Sequence, residues 1–243
     1  RKSFEWVQFI FKEEEHKFPY GEGKEQKMET FGPKDNFAMR RTPETQLQYS
    51  LMNIRLKNPN PSSFKSGEGV VELEIGNRKV PMKPNHPVES ISWFEVNEYA
   101  TRLKQALPTE HQWEFAARAG SKTDYWWGDD VSKLGNHAWF EKNSANGTQP
   151  VAKKSENPFQ LYDMYGNVWE WSLGRMDSGR VIRGGSWYYS AKNLRSAYRY
   201  YSSSGGRFHS LGFRLVRPGL LALKPSYTFT LGVDTQVPQG GSP

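Results

Sequence analysis

Beyond Tyr125 no stretch shows helical periodicity, and none of the 243 residues is cysteine. Almost half of the chain must therefore fold from short strands and turns, with neither a long helix nor a disulfide to brace it. What it offers instead is aromatic mass: 9 Trp, 12 Tyr and 14 Phe among 22 Gly and 15 Pro. Aromatic side chains bury large areas, so a loop-rich globule around aromatic clusters is expected. The missing cysteines exclude a disulfide framework, Cys-ligated zinc and a thiol nucleophile. No apolar run approaches the roughly 18 residues of a membrane span. The chain opens at Arg1, which reads as a processed or trimmed form and leaves room for a signal or lipid anchor upstream.

The net charge of +7 suggests a polyanion partner until it is located. Nine basic residues and one acid, Asp177, lie between Arg175 and Arg217, so the excess belongs to one segment. In a chain short of regular structure, guanidinium groups there are expected to bond loop carbonyls that no ladder satisfies. Nucleic acid is accordingly not expected as a partner.

Three helices are predicted. One follows Thr42-Pro43, with Thr42 as cap and Leu47, Leu51 and Met52 on the buried face. A second starts at Ser92, where Ser92 and Glu95 form a capping box ahead of Trp93, Val96, Tyr99, Ala100 and Leu103 at helical spacing. A third opens at Thr109 and stops at Gly120. Strands are expected in Phe4–Phe11, Phe37–Met39, Val168–Trp171, Val181–Arg183, Phe213–Val216 and Tyr227–Val233, and Lys12–Glu29 reads as a solvated loop. The chain divides into a domain over 1–217 and a C-terminal extension, 218–243, partly disordered over Gln236–Pro243.

Six phrases occur in register. They are His86-Pro87-Val88 with Ser92-Trp93; Leu107-Pro108-Thr109-Glu110 with Trp113 to Arg118; Tyr125 to Asp129; Leu161 to Trp171; Arg183-Gly184-Gly185-Ser186-Trp187; and Leu211-Gly212-Phe213-Arg214-Leu215. Together they resemble the formylglycine-generating enzyme family, the sulfatase-modifying factor domains, over roughly residues 1–217. The resemblance implies an α+β, C-type-lectin-like fold with few helices, small twisted sheets and much irregular structure. The family enzyme uses a pair of copper-binding cysteines in the segment matching Trp187–Ser203. Here Tyr, Ser, Ala, Lys and Asn stand there, so formylglycine generation is chemically excluded and no copper is expected. A second branch of the family, the iron-dependent sulfoxide synthases, carries metal histidines on an added helical domain. His16, His86, His111, His137 and His209 have no such spacing, and each reads as structural or surface.

The resemblance further implies a structural calcium held by side-chain oxygens of Asp163 and Glu170 and carbonyls of Gly166 and Val168. The same carboxylates also read as caps of loop amides or partners of arginines.

Between framework positions, the segment 188–210 is rich in Tyr, Ser and Gly, the composition of an adaptable binding surface. The expected ligand-binding residues are Tyr188, Tyr189, Ser190, Tyr198, Tyr200, Tyr201, Ser203, Ser204, Phe208, His209 and Ser210. Their residue types resemble the diversified segment of variable proteins of diversity-generating retroelements, which ends near a Gly-Phe-Arg. Tyr198, Tyr200 and Tyr201 also read as ordinary core or cleft aromatics. The leading expectation is a non-catalytic protein of the bacterial cell envelope or surface that binds a protein or glycan ligand. The alternatives are a catalytically dead scaffold of an envelope assembly and a cysteine-free, metal-dependent oxidoreductase.

Overall fold

A computed structural model describes residues 6–11, 16–219 and 227–231. Two four-stranded sheets carry the architecture; the first is assembled from distant parts of the chain and the second from four consecutive strands within residues 169–212. The first contains β1 (Trp6–Phe11), β4 (Phe37–Arg40), β11 (Val216–Pro218) and β12 (Tyr227–Leu231), in the order β11-β4-β1-β12. The second contains β7 (Trp169–Met176), β8 (Gly179–Arg183), β9 (Arg199–Ser202) and β10 (Leu211–Gly212), in the order β10-β7-β8-β9. Two hairpins, β2 (His16–Tyr20) with β3 (Lys27–Phe31) and β5 (Val71–Ile75) with β6 (Arg78–Met82), stand apart. The helices among the described residues are α1 (Gln46–Met52), α2 (Trp93–Arg102), α3 (Glu110–Arg118) and the single turn α4 (Leu134–His137). The fold is α+β with much irregular structure, as expected.

Local chemistry sets the helix starts. Ser92 and Glu95 close the capping box of α2, and Thr109 and Gln112 close that of α3. For α1 the cap is Thr45, boxed with Gln48, and not Thr42. That three-residue shift turns Leu51 and Met52 outward, 42% and 50% exposed, and buries Tyr49 against Tyr99 at 4.8 Å. The charged stretch read as a loop instead forms β2 and β3 across its described part. Phe18 and Phe31 alternate with its charges and both pack on Phe115, at 5.3 and 5.4 Å. Phe213–Val216 is not one strand. Leu211–Gly212 pairs with β7 and Val216–Pro218 with β4, so the chain changes sheets across Phe213–Leu215. Tyr227–Leu231 runs parallel to β1, while the disorder expected of Gln236–Pro243 lies outside the described residues.

Phenylalanines build one half of the core. Phe9 contacts Phe37 at 4.8 Å and Phe115 at 5.5 Å, and Phe115 contacts Phe159 at 5.3 Å. The second half gathers Tyr49, Tyr99, Trp169, Trp171, Ile182 and Phe213.

Between the halves runs a skeleton of buried polar groups. Arg214, fully buried at the change of sheets, bonds the carbonyls of Arg40, Arg41 and Tyr162 at 3.0, 2.8 and 2.6 Å and pairs with Glu170 at 2.9 Å. Arg183 pairs with Glu114 and bonds the Ser196 and Ala197 carbonyls. The Asn157 amide bonds the Ala116 carbonyl at 2.7 Å, and its oxygen accepts from the Phe159 and Leu161 amides. Gly166 is required where it stands. Its φ is +76°, and a Cβ would lie 2.1 Å from the Trp139 carbonyl oxygen.

Arg214→Met should remove all three carbonyl bonds and leave Glu170 without its ion-pair partner. Loss of about 3–5 kcal/mol is expected in urea denaturation. Restoration of most of that stability by adding Glu170→Gln would assign the cost to the stranded carboxylate.

Candidate functional site

β9 lies at one margin of its sheet, and its side chains show why: Arg199, Tyr200 and Tyr201 are exposed. Tyr200 is 47% and Tyr201 37% exposed, and Tyr188, in the loop after Trp187, is 63% exposed. These three are not scattered. Ring contacts run from Tyr201 to Tyr200 at 5.8 Å, from Tyr200 to the buried Trp169 at 6.2 Å and from Trp169 to Tyr189 at 5.3 Å. They continue from Tyr189 to Tyr188 at 5.8 Å, to Trp187 at 5.4 Å and to His209 at 5.2 Å. Tyr198 joins through Trp169 at 6.1 Å. The result is one aromatic strip whose base is buried and whose tips are in solvent.

Hydrogen bonds fix the base. Trp187 Nε1 donates to the His209 carbonyl at 3.1 Å. The Ser90 amide donates to the Phe208 carbonyl and the Trp93 amide to the Ser204 carbonyl, both at 3.0 Å, so the start of α2 holds the loop after β9. Arg207 pairs with Glu95 of the α2 capping box. Trp169 Nε1 makes no hydrogen bond of ordinary geometry, and the Tyr189 phenol is the polar group it meets. Burial raises the Tyr189 pKa and the neighbouring Tyr200 adds to it, so this phenol stays neutral beside the indole N–H.

Of the residues expected at the site, Tyr188, Tyr200, Tyr201, Ser203, Phe208 and His209 are exposed. Tyr189, Ser190, Tyr198 and Ser204 are half-buried. Ser210 is a correction. It is buried, and its carbonyl accepts from the Trp169 amide at 2.8 Å, because β10 must enter the sheet directly after it. Ser190 precedes the turn over Ala191–Asn193, donates its hydroxyl to the Asn193 side-chain oxygen at 3.2 Å and lines a separate open hollow of about 520 Å³ with Phe140, Glu141 and Lys192. Tyr188 and Trp187 line another, of about 350 Å³, with Glu141 and Asn146.

Two aromatic neighbours escaped the sequence reading. Phe94 is 61% exposed on α2, and its place off the Trp93-Val96-Tyr99-Ala100 face was a legible signal. Phe64 packs edge-on against Trp187 at 5.5 Å, and nothing local in the sequence announces it. Glu89 holds Phe64 in place. It is fully buried, accepts from the Phe64 amide at 2.9 Å and from the Ser90 hydroxyl at 2.6 Å. Burial pushes its carboxyl up to about 7, against the bonds from Ser90 and Phe64 and the nearby Lys65 charge.

Asp163 and Glu170, the expected side-chain calcium ligands, lie close enough for their charges to repel, and the Arg214 charge acts on both. Both Glu170 oxygens face the Arg214 guanidinium, and Oε2 also accepts from Trp113 Nε1 at 2.7 Å. The alternative reading of Glu170, as the partner of an arginine, is the one the geometry realises. Asp163 keeps a buried oxygen, Oδ1, without an ordinary hydrogen bond, while its Oδ2 accepts from the Ala152 amide at 2.8 Å. With a guanidinium occupying its carboxylate, Glu170 does not fit as a calcium ligand. Among the described residues no three His, Asp or Glu side chains are grouped for a metal.

The sulfatase-modifying factor enzyme 1-like domain model matches residues 11–218. The chain belongs to that family. It is 31% identical over 185 residues to the serine/threonine-protein kinase pkn1 of Chlamydia caviae, covering 68% of this chain and 28% of that protein. It is 33% identical over 167 residues to the inactive C-alpha-formylglycine-generating enzyme 2 of Mus musculus, covering 60% of this chain and 51% of that protein. The chain thus spans between about a quarter and a half of these relatives' length. Its fold is shared with Treponema denticola variable protein 1, at TM-score 0.68 and 22% identity over 88% of this chain and 94% of that one. Within the family, this member lacks cysteine altogether.

Two measurements check this geometry. Because the folded Glu89 pKa lies above its usual value of 4.5, its stabilising contribution is complete below about pH 4.5 and is lost as pH rises through about 7. Glu89→Gln should remove that dependence, gaining up to ~3 kcal/mol over wild type at pH 8.5 and little at pH 5 in chemical denaturation. Thermal melting should be the same in calcium and in EDTA. A calcium-dependent rise in Tm would restore the metal site.

Proposed function

We propose that this family member is a non-catalytic binding protein whose aromatic strip grips a protein or glycan ligand. The observation that carries this reading is the strip itself: solvent-exposed tyrosine tips on a base fixed by buried tryptophans and loop hydrogen bonds. Tyrosine offers a large amphipathic contact at small entropic cost, and Ser203, Ser204, Gly205 and Gly206 beside it supply adaptable backbone and hydroxyls. Preorganised contact groups lose little freedom on binding. The family's thiol chemistry has no residue to perform it in this chain, and a relative described as inactive fits a scaffold retained without the reaction.

The Tyr, Ser, Phe, His and Gly set over 188–210, on a fold shared with a variable protein, supports diversification of this segment by a retroelement. A template repeat near the gene that differs from this segment at adenines would establish it. Display at the bacterial cell envelope or surface is the setting this function suits.

Glycan arrays and displayed linear peptide libraries should return ligands whose binding falls at least roughly tenfold in Tyr188→Ala and in Tyr200→Ala. Both side chains are exposed, so stability should change by no more than about 0.5 kcal/mol. Binding that ignores both substitutions would end this reading and favour a scaffold that makes its contacts elsewhere.

A further inference from the structure

A hollow of about 300 Å³ lies between the loop after α1 and strand β6, and no residue of the tyrosine strip lines it. Four of its lining residues are cationic, Lys57, Lys65, Arg78 and Lys79, and none is acidic. The others are asparagines and small apolar side chains, with no aromatic ring among them. Its floor is firmly built. Asn60 is buried, and its side-chain amide donates to the Pro81 carbonyl at 2.9 Å and to the Gln46 side-chain oxygen at 3.2 Å. That ties the loop to β6 and to α1 at once. The same Gln46 oxygen accepts from the Lys83 amide at 2.9 Å. On the wall, Arg78 reaches from β6 to the Leu56 and Ile54 carbonyls at 2.9 and 2.8 Å, and Lys65 donates to the Asn60 carbonyl at 3.0 Å.

These bonds use hydrogens without cancelling charge. Among the described residues no carboxylate ion-pairs with Lys57, Lys65 or Arg78. Arg78 and Lys65 keep donors beyond those they give to carbonyls, and the Lys57 ammonium has no hydrogen bond among the described residues. Lys79 differs. Glu72 meets it at 3.0 Å, and Glu74 stands directly opposite it in the hairpin. Successive side chains leave opposite faces of a strand, so Arg78 stands on the face turned from those acids. The buried Glu89 feels the Lys65 charge, but its oxygens are taken by the Phe64 amide and the Ser90 hydroxyl. The hollow therefore gathers three cations whose charge this chain does not neutralise.

We infer that this hollow binds a phosphate monoester group, at a second site independent of the tyrosine face. A monoester carries close to two negative charges at neutral pH and several strong acceptor oxygens, which suits three converging cations better than a carboxylate does. The arginine fork and the lysine point charges are the usual phosphate partners. No ring is present to stack a base, so a nucleotide or nucleic acid gains nothing here over a simple ester. The volume sits at the small end of ligand sites, enough for a phosphate and a short carrier. Because floor and wall are bonded in the free protein, binding costs little ordering. The carrier is a soluble ester or a lipid headgroup. Ile54 and Leu56, held by Arg78, are exposed, which makes the lipid source worth its own arm of the test.

The probe is glycerol 3-phosphate, titrated calorimetrically into the whole chain at low ionic strength, where screening is weakest. It should bind at least roughly tenfold more tightly than dimethyl phosphate or acetate, which carry one charge each. Lys57→Gln and Lys65→Gln should each weaken binding roughly tenfold, the loss of one charge-assisted contact. Lys79→Gln, whose charge Glu72 already meets, should change it by less than about twofold. Lys57 is exposed, so its variant should melt like wild type and remain decisive even if Lys65→Gln disturbs the loop. Equal binding of acetate, or equal losses in Lys57→Gln and Lys79→Gln, would mean diffuse surface charge and would overturn the inference. So would glycerol 3-phosphate binding that survives Lys57→Gln and Lys65→Gln together. Co-sedimentation with vesicles identifies the carrier. Retention on phosphatidic acid vesicles that is lost in Lys57→Gln and competed by glycerol 3-phosphate assigns a lipid headgroup. Tight glycerol 3-phosphate binding without such retention assigns a soluble ester. Equal retention on phosphatidylglycerol, a diester, with no glycerol 3-phosphate binding would end the phosphate site. Tyr188→Ala should alter none of these results, so the site and the tyrosine face stand or fall separately.

Discussion

The Arg214 guanidinium is the point through which the two sheets are held in one body. It sits where the chain leaves β10 for β11, and it reaches Glu170 on β7, the carbonyls of Arg40 at the end of β4 and of Arg41 after it, and the Tyr162 carbonyl. The Arg41 and Tyr162 carbonyls belong to segments outside both sheets. Burying a charge is costly unless its donors are met, and here carboxylate and carbonyl acceptors surround it. The arrangement makes one side chain a condition for several loops at once.

The same device recurs. Arg183, on β8, ties the second sheet to Glu114 on α3, and Arg118 returns from α3 to the Gly21 and Thr123 carbonyls. Arg199 adds a two-pronged pair to Glu110 at the other end of α3. Arg183, Arg195, Arg199, Arg207 and Arg214, five of the nine basic residues between Arg175 and Arg217, thus pair with this chain's own carboxylates. Arg180 follows the same pattern, giving one nitrogen to the Leu173 carbonyl.

This skeleton explains how a loop-built surface can be firm enough to bind. The tyrosine tips reach solvent, while Trp169, Trp187 and the bonds from Ser90 and Trp93 fix the segments that carry them. Changes among the exposed positions would disturb little beneath them, whereas changes at Gly166, Arg183 or Arg214 would disturb the whole. A scaffold with that division of roles tolerates substitution at its face and resists it in its frame.

The capping boxes at Ser92 and Thr109, the family phrases and the impossibility of thiol chemistry were all legible, because each depends on residues close in sequence or on composition alone. Of the segment's tyrosines, Tyr188, Tyr200 and Tyr201 are exposed, while Tyr189 and Tyr198 are half-buried. Packing decided what local signals could not. Charges along 12–29 hid a hairpin whose phenylalanines find Phe115 some hundred residues away. Glu170 was equally suited to calcium or to an arginine until Arg214 was brought against it. Ser210 looked like its exposed neighbours until β10 pulled it inward. By itself the sequence determined the inventory of groups and the local starts of helices. Only the tertiary structure decided which oxygen meets which cation, because those pairings join residues that the chain keeps far apart.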